Sequence, residues 1–435
     1  MLEFANQTDQ VTWPSVTNPW ASAIGCLLYQ FEQTQWLNRR ELEKRQWPQI
    51  QSILNFAYSN SSLYRKLYDE HGIDPSTFQN LDDLLNLPIV SREQLQRNAD
   101  DWFCKEIPKG HGQILDHFTS GSTGRPLHSR STNLTHLIKC ALMIRSHSWA
   151  ARDLKQSVVY ITEANQTSEV KHSSTWESAT KHVLKTGRSS SIPITMPVDE
   201  MLRTLRDLRP AYLIAYPSVI DSLMNACTSL KSQIPSLRQL GTFGEVLTER
   251  TRRHAKEEHG LAIFDNYSAS ELGPIAVQCS DFEHYHVQSE AVFVEILNDD
   301  NTPSCPGHVG RVVVTSLHNF AAPMIRYELG DLVEVGEDCK CGRGLPVLTK
   351  IIGRQRNLFR YPDGTRRWPK IEHDEFASFC RMNQLQIDQF QLAQISIEQL
   401  ILRLVVRRQL TEDDKARIAR FVDQQLGTTS FICAE

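Results

Sequence analysis

The chain has 435 residues, more than one ordinary hydrophobic core accommodates, so two or three domains are expected. Its charge is nearly balanced, 47 Lys and Arg against 51 Asp and Glu for a net −4, whereas a dedicated nucleic-acid binder needs a net basic face. Hydrophobic residues make up 40%, and no apolar run approaches the roughly 20 residues that span a bilayer, so neither nucleic acid nor membrane is an expected partner.

The opening MLEFANQTDQVTW has no basic start and no apolar run, so no secretory leader is expected. Ten cysteines in so long a chain do not make a disulfide framework, and reduced thiols in the cytoplasm are the expectation. Residues 38–73 read as helices, with Ile50, Ile53, Leu54 and Ala57 at helical spacing. Ser76 or Thr77 opens a further helix, and Ser91 with its SREQ pattern forms a capping box. Short apolar or aromatic runs predict strands at 157–162, 211–216, 261–267 and 291–297. Helical patterns lie between some of them: NLTHLIKCALMIRSHSWA, VDEMLRTLRDLR, SVIDSLMNACTSL and LTERTRRHAKEEHG. Such alternation predicts an α/β protein with a largely parallel sheet. Residues 310–317 and 331–336 predict a later antiparallel section. Beyond residue 370 a helix (HDEFASFCRMNQ), a strand (QLILRLVVRR) and a helix (TEDDKARIARFVDQQLG) form a small α+β unit, which places a domain boundary near Gly353.

The run HFTSGSTGRPLHS, residues 117–129, has no sizeable apolar side chain between Thr119 and Pro126. Gly121 and Gly124 free the backbone to turn N–H groups inward, Thr119, Ser120, Ser122 and Thr123 add hydroxyls, and Arg125 adds charge: the chemistry of a phosphate cradle or of a polar surface turn. The spacing is not that of a Walker A loop.

TSGSTGRP resembles the phosphate loop of the adenylate-forming superfamily, T-S-G-[ST]-T-G-x-P. NYSASELG (266–273), IRYELGDL (325–332) and IIGRQRNLF (351–359) resemble three further segments of that family, in its order. The N-terminal ILNFAYSNSSLYRKLYDEHGI and LDDLLNLPIVSREQL, with AYPSVIDSLMNA and CGRGLPVLTKIIGR, are similar to the phenylacetate–CoA ligase and capsule-type branch. The resemblance implies a large N-terminal domain, residues 1–352, binding AMP or ATP and the acid, and a small mobile α+β lid, residues 353–435. The hinge would lie at 353–357, with Arg356 at the hinge position.

By the same resemblance, Glu271 would hold Mg²⁺, Asp331 would accept the ribose hydroxyls, and Tyr267, with Asn266 and Ser268 beside it, would stack on adenine. Gly244 and Glu245 would line the adenine, Arg354 would reach ribose or phosphates, and Thr119 would take part in catalysis with Glu271 and Arg354. Acid-pocket candidates are Tyr160, Trp176, Tyr216, Phe243 and Ala269, with His172 near them. The implied reaction is acid plus ATP to acyl-AMP and pyrophosphate, then transfer to the thiol of CoA or an acyl carrier protein. An amine acceptor is the alternative, and a homodimer is open. Two departures stand out. Arg125 replaces the lysine of many relatives. No Gly-Lys pair follows Gly353, where Lys370 and Lys415 are the only lysines, which keeps a non-catalytic nucleotide-binding homologue open. The RTRRH run at Arg250 reads as a solvated helix face.

CKCG places Cys339 and Cys341 in a glycine-containing turn, and CSDFEHYH supplies Cys279, His284 and His286 upstream. Three thiols and one imidazole suit a structural Zn²⁺ with no open position. His286 is favoured over His284 because it precedes the next strand as in the resembling branch.

Overall fold

The computed structural model describes every residue except 1, 9, 12, 119–125, 164–168, 177–178, 182, 361–365, 368–372, 397–398, 427–432 and 435. Two compact units result, Met1–Gly353 and Arg354–Glu435. No helix among the described residues is long and apolar enough to cross a membrane.

The large unit is organised by one 13-stranded mixed sheet. Its parallel part runs Ser189–Pro193, Val158–Thr162, Tyr212–Ala215, Gln239–Phe243, Ala262–Ala269. Tyr212–Ala215 is buried at every position, as expected of a parallel strand covered on both faces. The helices Val198–Leu208, Pro217–Asn225 and Glu249–Glu257 connect these strands, and Met201, Leu205, Ile220 and Leu223 pack on Leu213 and Leu240 in one core.

From Ala262–Ala269 the sheet turns antiparallel through Gly273–Gln278, Tyr285–Val287 and Val347–Arg354. It continues to Tyr327–Val335, Val309–Ser316 and Val292–Leu297. Burial alternates along most of Tyr327–Val335, the period-2 pattern of a strand with two unlike faces. A second core lies here: Tyr64 and Trp102 both donate to Pro323 O, at 2.8 and 2.7 Å, and pin the chain just before that strand.

The helical stretch at 38–73 forms as Arg39–Asn60 and Ser62–Glu70. An Asn38/Glu41 capping box starts the first, and Ser61 caps the second. The start expected at Ser76 or Thr77 is not a helix N-terminus. Asp74 accepts from Ser76 N and caps a single 3₁₀ turn, Pro75–Thr77, and Asn80 caps the next, Leu81–Asn86, because a carboxylate or amide outcompetes the neighbouring hydroxyls there. The Ser91 box forms: Ser91 Oγ accepts from Gln94 N and Gln94 Oε1 from Ser91 N. Sequence periodicity missed the helix Pro19–Thr34, although Asn18 as cap and Pro19 at its first position mark its start.

The small unit packs the helices His373–Met382 and Glu412–Leu426 with the hairpin Ile387–Ser396/Gln399–Val406 around Phe376, Leu402, Ile418 and Val422. The strand Ile387–Ser396 was not among the sequence expectations.

Candidate active site and candidate metal centre

Two carboxylates stand close to the junction of the parallel and antiparallel halves. Glu271 lies in the tight turn between Ala262–Ala269 and Gly273–Gln278. Its side chain is 7% exposed, and its Oε1 accepts from Tyr327 Oη at 3.0 Å and from Arg92 at 3.2 Å. Both partners come from far along the chain. The parallel pairing of Val90–Ser91 with Tyr327 and Glu328 sets the Ser91-capped helix Arg92–Arg97 beside Tyr327. Burial, then the Glu271 charge, drives the Tyr327 phenol well above the usual range, so it is held as a donor.

Asp331 belongs to the same strand as Tyr327 and is buried. Its Oδ2 accepts from Tyr267 Oη at 2.7 Å, joining Ala262–Ala269 to Tyr327–Val335. The preceding Arg326 has φ of 46°, a left-handed conformation few residues adopt, and is 2% exposed. Its guanidinium pairs with Glu295 and donates to the carbonyls of Leu85 and Leu87. The arginine of IRYELGDL is therefore a structural clamp that fixes the segment leading to Tyr327 and Asp331.

The cradle residues Thr119, Ser120, Gly121, Ser122, Thr123, Gly124 and Arg125 lie outside the described residues. The strands on either side, Ile114–Phe118 and His128–Thr132, form an antiparallel ladder in which Phe118 pairs with and stacks on His128, rings 4.5 Å apart. His128 and Arg130 both bind Asp116, at 2.7 and 3.0 Å.

Gly244, Glu245, Tyr216 and Phe243 meet at the carboxyl ends of Tyr212–Ala215 and Gln239–Phe243, where open α/β sheets bind ligands. Gly244 has φ of +79°, and a Cβ there would fall 2.9 Å from the Tyr216 ring, so both backbone angle and space require glycine. The Tyr216 and Phe243 rings are 5.1 Å apart. Glu245 accepts from Ser218 N and Oγ, both at 3.0 Å, and so caps the helix Pro217–Asn225. Asn266 accepts from Ser146 Oγ at 2.7 Å, tying the strand to the helix Asn133–Trp149. Ser268 and Tyr160 are half-buried.

Two pocket candidates are placed otherwise. Trp176 is 2% exposed, donates to Gln156 O at 2.8 Å and meets His147 and Tyr212 edge-on, so it is a core residue. Ala269 is buried within the core beside Tyr267. His172 lies exposed on an edge strand with Nδ1 on Ser190 Oγ. Arg354 is exposed, in the small unit. The side chain of Arg356 lies outside the described residues.

A second cluster assembles where Tyr285–Val287 meets the turn before Val347–Arg354. Ligand atoms of Cys279, His284, His286 and Cys339 all lie within 4.8 Å of one another. His284 Nε2 is 3.0 Å from Cys339 Sγ, Cys279 Sγ is 3.9 Å from Cys339 Sγ, and His286 Nε2 is 3.4 Å from Cys341 Sγ. Both histidines thus enter the cluster, although sequence reasoning preferred one. His286 Nδ1 faces Leu345 O at 3.3 Å, which leaves Nε2 for a ligand. Burial lowers the pKa of His284 and takes His286 down to about 4, so both imidazoles stay neutral. Burial also pushes Cys339 up to about 12 and raises Cys279. Burial opposes ionisation of Cys341 as well, but hydrogen bonds led by Arg343 N–H hold its thiol below the usual value. Backbone N–H groups of Asp281, Cys341 and Arg343 point at the sulfurs of Cys279, Cys339 and Cys341, at 3.3 to 3.5 Å.

Comparison with known proteins gives this geometry a context. No protein-family model matches the chain. Phenylacetate-coenzyme A ligase of Thermus thermophilus is 24% identical over 351 residues, covering 76% of this chain and 74% of its own. Protein CapK of Staphylococcus aureus is 19% identical over 403 residues, covering 89% and 82%. Over most of its length the chain is similar to the phenylacetate–CoA ligase and capsule-type branch of the adenylate-forming superfamily. The fold agrees with that of 2-hydroxyisobutyryl-CoA ligase in the postadenylation state in complex with R3-HIB-AMP. The TM-score is 0.69 at 18% identity, over 100% of this chain and 93% of that one.

Tyr327 and Arg92 are the site neighbours that sequence reasoning missed. Tyr327 was in view inside IRYELGDL. Arg92 follows the predicted Ser91 cap, but nothing local points from it to Glu271, 179 residues away.

Proposed function

We propose that this ligase activates a carboxylic acid with ATP, releasing pyrophosphate, and passes the acyl group to the thiol of CoA. The observation that carries the proposal is the pair of oriented carboxylates: Glu271 fixed by Tyr327 and Arg92, and Asp331 fixed by Tyr267. In the first step a carboxylate oxygen of the acid attacks the α-phosphorus, the bond to the bridging oxygen breaks, and pyrophosphate leaves. In the second, the CoA sulfur, its proton lost to solvent, attacks the acyl carbon, and AMP departs with the former carboxylate oxygen.

Glu271 would hold Mg²⁺. Both described bonds fall on Oε1, and no described residue bonds Oε2, which suits a hard cation that keeps water and phosphate oxygens as its other ligands. When bound, Mg²⁺ supplies neutralisation of the phosphate charge. Asp331 receives the ribose hydroxyls, and the Tyr267 phenol orients its carboxylate while the ring lies against adenine. Asn266 and Ser268 accompany Tyr267, and Gly244 lets the backbone approach the base beside Glu245. The hydroxyl and N–H groups of residues 119–125, with Arg125, take the phosphates, and Thr119 acts there with Glu271. Arg354 is assigned to the nucleotide, Arg356 to the hinge, and the unit Arg354–Glu435 to a lid. Tyr216 and Phe243, with Tyr160, make an aromatic wall, which favours an aryl acid.

The cluster at Cys339 is assigned to a structural Zn²⁺. Neutral imidazoles, N–H groups aimed at sulfur, the Cys279 and Cys339 thiols that a cation would ionise against the effect of burial, and the more acidic Cys341 fit that ion. Cys279, His284, His286 and Cys339 are the ligand set within mutual reach, with Cys341 beside His286.

ATP–pyrophosphate exchange across a panel of aryl and alkyl acids tests the reading. Exchange with at least one acid, followed by stoichiometric AMP release on adding CoA, is the expected result. No exchange with any acid overturns it, and AMP release with amines or a carrier thiol in place of CoA redirects the second step.

A further inference from the structure

The helix Asn133–Trp149 packs on the strand Gly273–Gln278, directly after the turn that holds Glu271. Lys139 draws its methylene stem across Gly273. A Cβ on Gly273 would lie 3.2 Å from Lys139 Cδ, 3.3 Å from Cγ and 3.4 Å from Cε, and Gly273 has φ of +82°. The glycine is thus the gap through which this lysine reaches the Glu271 turn.

Among the described residues, no hydrogen bond or ion pair engages the Lys139 ammonium. The connector 119–125 between the neighbouring strands carries no acidic side chain. The titratable groups coupled to Lys139 are the neighbouring Cys140 thiol, His136, one turn earlier on the same helix, and His117, on the strand Ile114–Phe118. Burial first, and then the Lys139 charge, lowers the pKa of both histidines, which favours their neutral forms; His117 Nε2 lies 2.7 Å from Ser131 Oγ and His136 Nε2 3.6 Å from Cys140 Sγ. Burial likewise disfavours the charged form of Lys139 itself. A half-buried ammonium without an anion is costly, and the cost is met where a ligand brings the anion.

We propose that Lys139, flanked by His136 and His117, receives a carboxylate of the acid substrate and thereby selects it. The inference rests on the ligase reading above. One ammonium among neutral imidazoles matches a single negative charge, whereas a triphosphate calls for several cations. The carboxylate has two sources, the reacting group of any acid or a second carboxylate of a diacid.

The test uses the full chain and the acids that support exchange in the unaltered protein. Lys139→Met keeps the stem over Gly273 and removes the charge. The expected result is a rise of about 10- to 100-fold in KM for the acid, the range of a lost charged hydrogen bond, with KM for ATP unchanged and Lys139→Arg restoring most of the affinity. Loss with every acid assigns the reacting carboxylate, and loss confined to diacids assigns the second one. Unchanged KM for every acid, or a rise in KM for ATP alone, overturns the proposal. A second measurement needs no variant: amine-reactive labelling of Lys139, read by mass spectrometry, should be blocked by the acid and not by AMP. Equal labelling with and without acid contradicts the assignment even if Lys139→Met does not fold. Absence of exchange in the unaltered protein instead strikes the ligase reading itself.

Discussion

At Glu271 and Asp331 each carboxylate already accepts from a buried phenol, and Glu271 also pairs with Arg92. At Cys279 and Cys339, in loops beside the same sheet, the thiols face one another and two neutral imidazoles, and burial raises the pKa of both. The first region is a set of acceptors whose directions hydrogen bonds fix. The second is a set of donors with no charge to organise them. Preorganised carboxylates suit turnover, whereas thiols that ionise only around a cation suit a permanent staple.

Substitutions sharpen that contrast. Glu271→Gln should have the largest effect, a loss of about 10²-fold or more in pyrophosphate exchange at saturating ATP, with AMP affinity within a few-fold of the original. Equal exchange rates would remove Glu271 from the chemistry and leave it a structural partner of Arg92. Asp331→Asn should weaken AMP binding by about 10-fold in calorimetry, the scale of one charged hydrogen bond. Unaltered affinity would mean that Asp331 serves only Tyr267. Tyr327→Phe takes one of two partners from Glu271 and should slow exchange by about 3- to 10-fold. Cys339→Ser should affect catalysis least, leaving the exchange rate of the folded fraction near the original while bound zinc is lost and the melting temperature falls by several degrees. Elemental analysis and a thermal melt check it. A metal-free protein of full stability would break the comparison, because the cluster would then be four side chains that merely pack.

What the sequence made legible follows the range of each interaction. The parallel strands Val158–Thr162, Tyr212–Ala215 and Ala262–Ala269 are legible in their apolar runs, and the Ser91 capping box in four consecutive residues, because both signals are local; Ser189–Pro193 and Gln239–Phe243 were not among the expected strands. Glu271 and Asp331 were singled out by motif, yet their partners were not, since Tyr327 Oη and Arg92 reach Glu271 only through the register of Val90–Ser91 on Tyr327–Val335. The joining of His284 and His286 in one cluster depends on Cys279 N bonding His284 O at 2.8 Å, a tight turn that spacing alone does not reveal. Trp176 was offered to the acid pocket for its aromatic ring, but its indole N–H finds Gln156 O inside the core, as a buried tryptophan commonly does. Ser76 and Thr77 were read as caps because hydroxyl residues favour that position, and Asp74 took it instead.

Isotope transfer tests the central claim most directly. If the acid's carboxylate attacks the α-phosphorus of ATP, an acid labelled with ¹⁸O in its carboxylate yields AMP that carries one ¹⁸O after CoA is added, and the pyrophosphate carries none. Label found in inorganic phosphate, with ADP as the nucleotide product, or AMP released without label, would contradict the account.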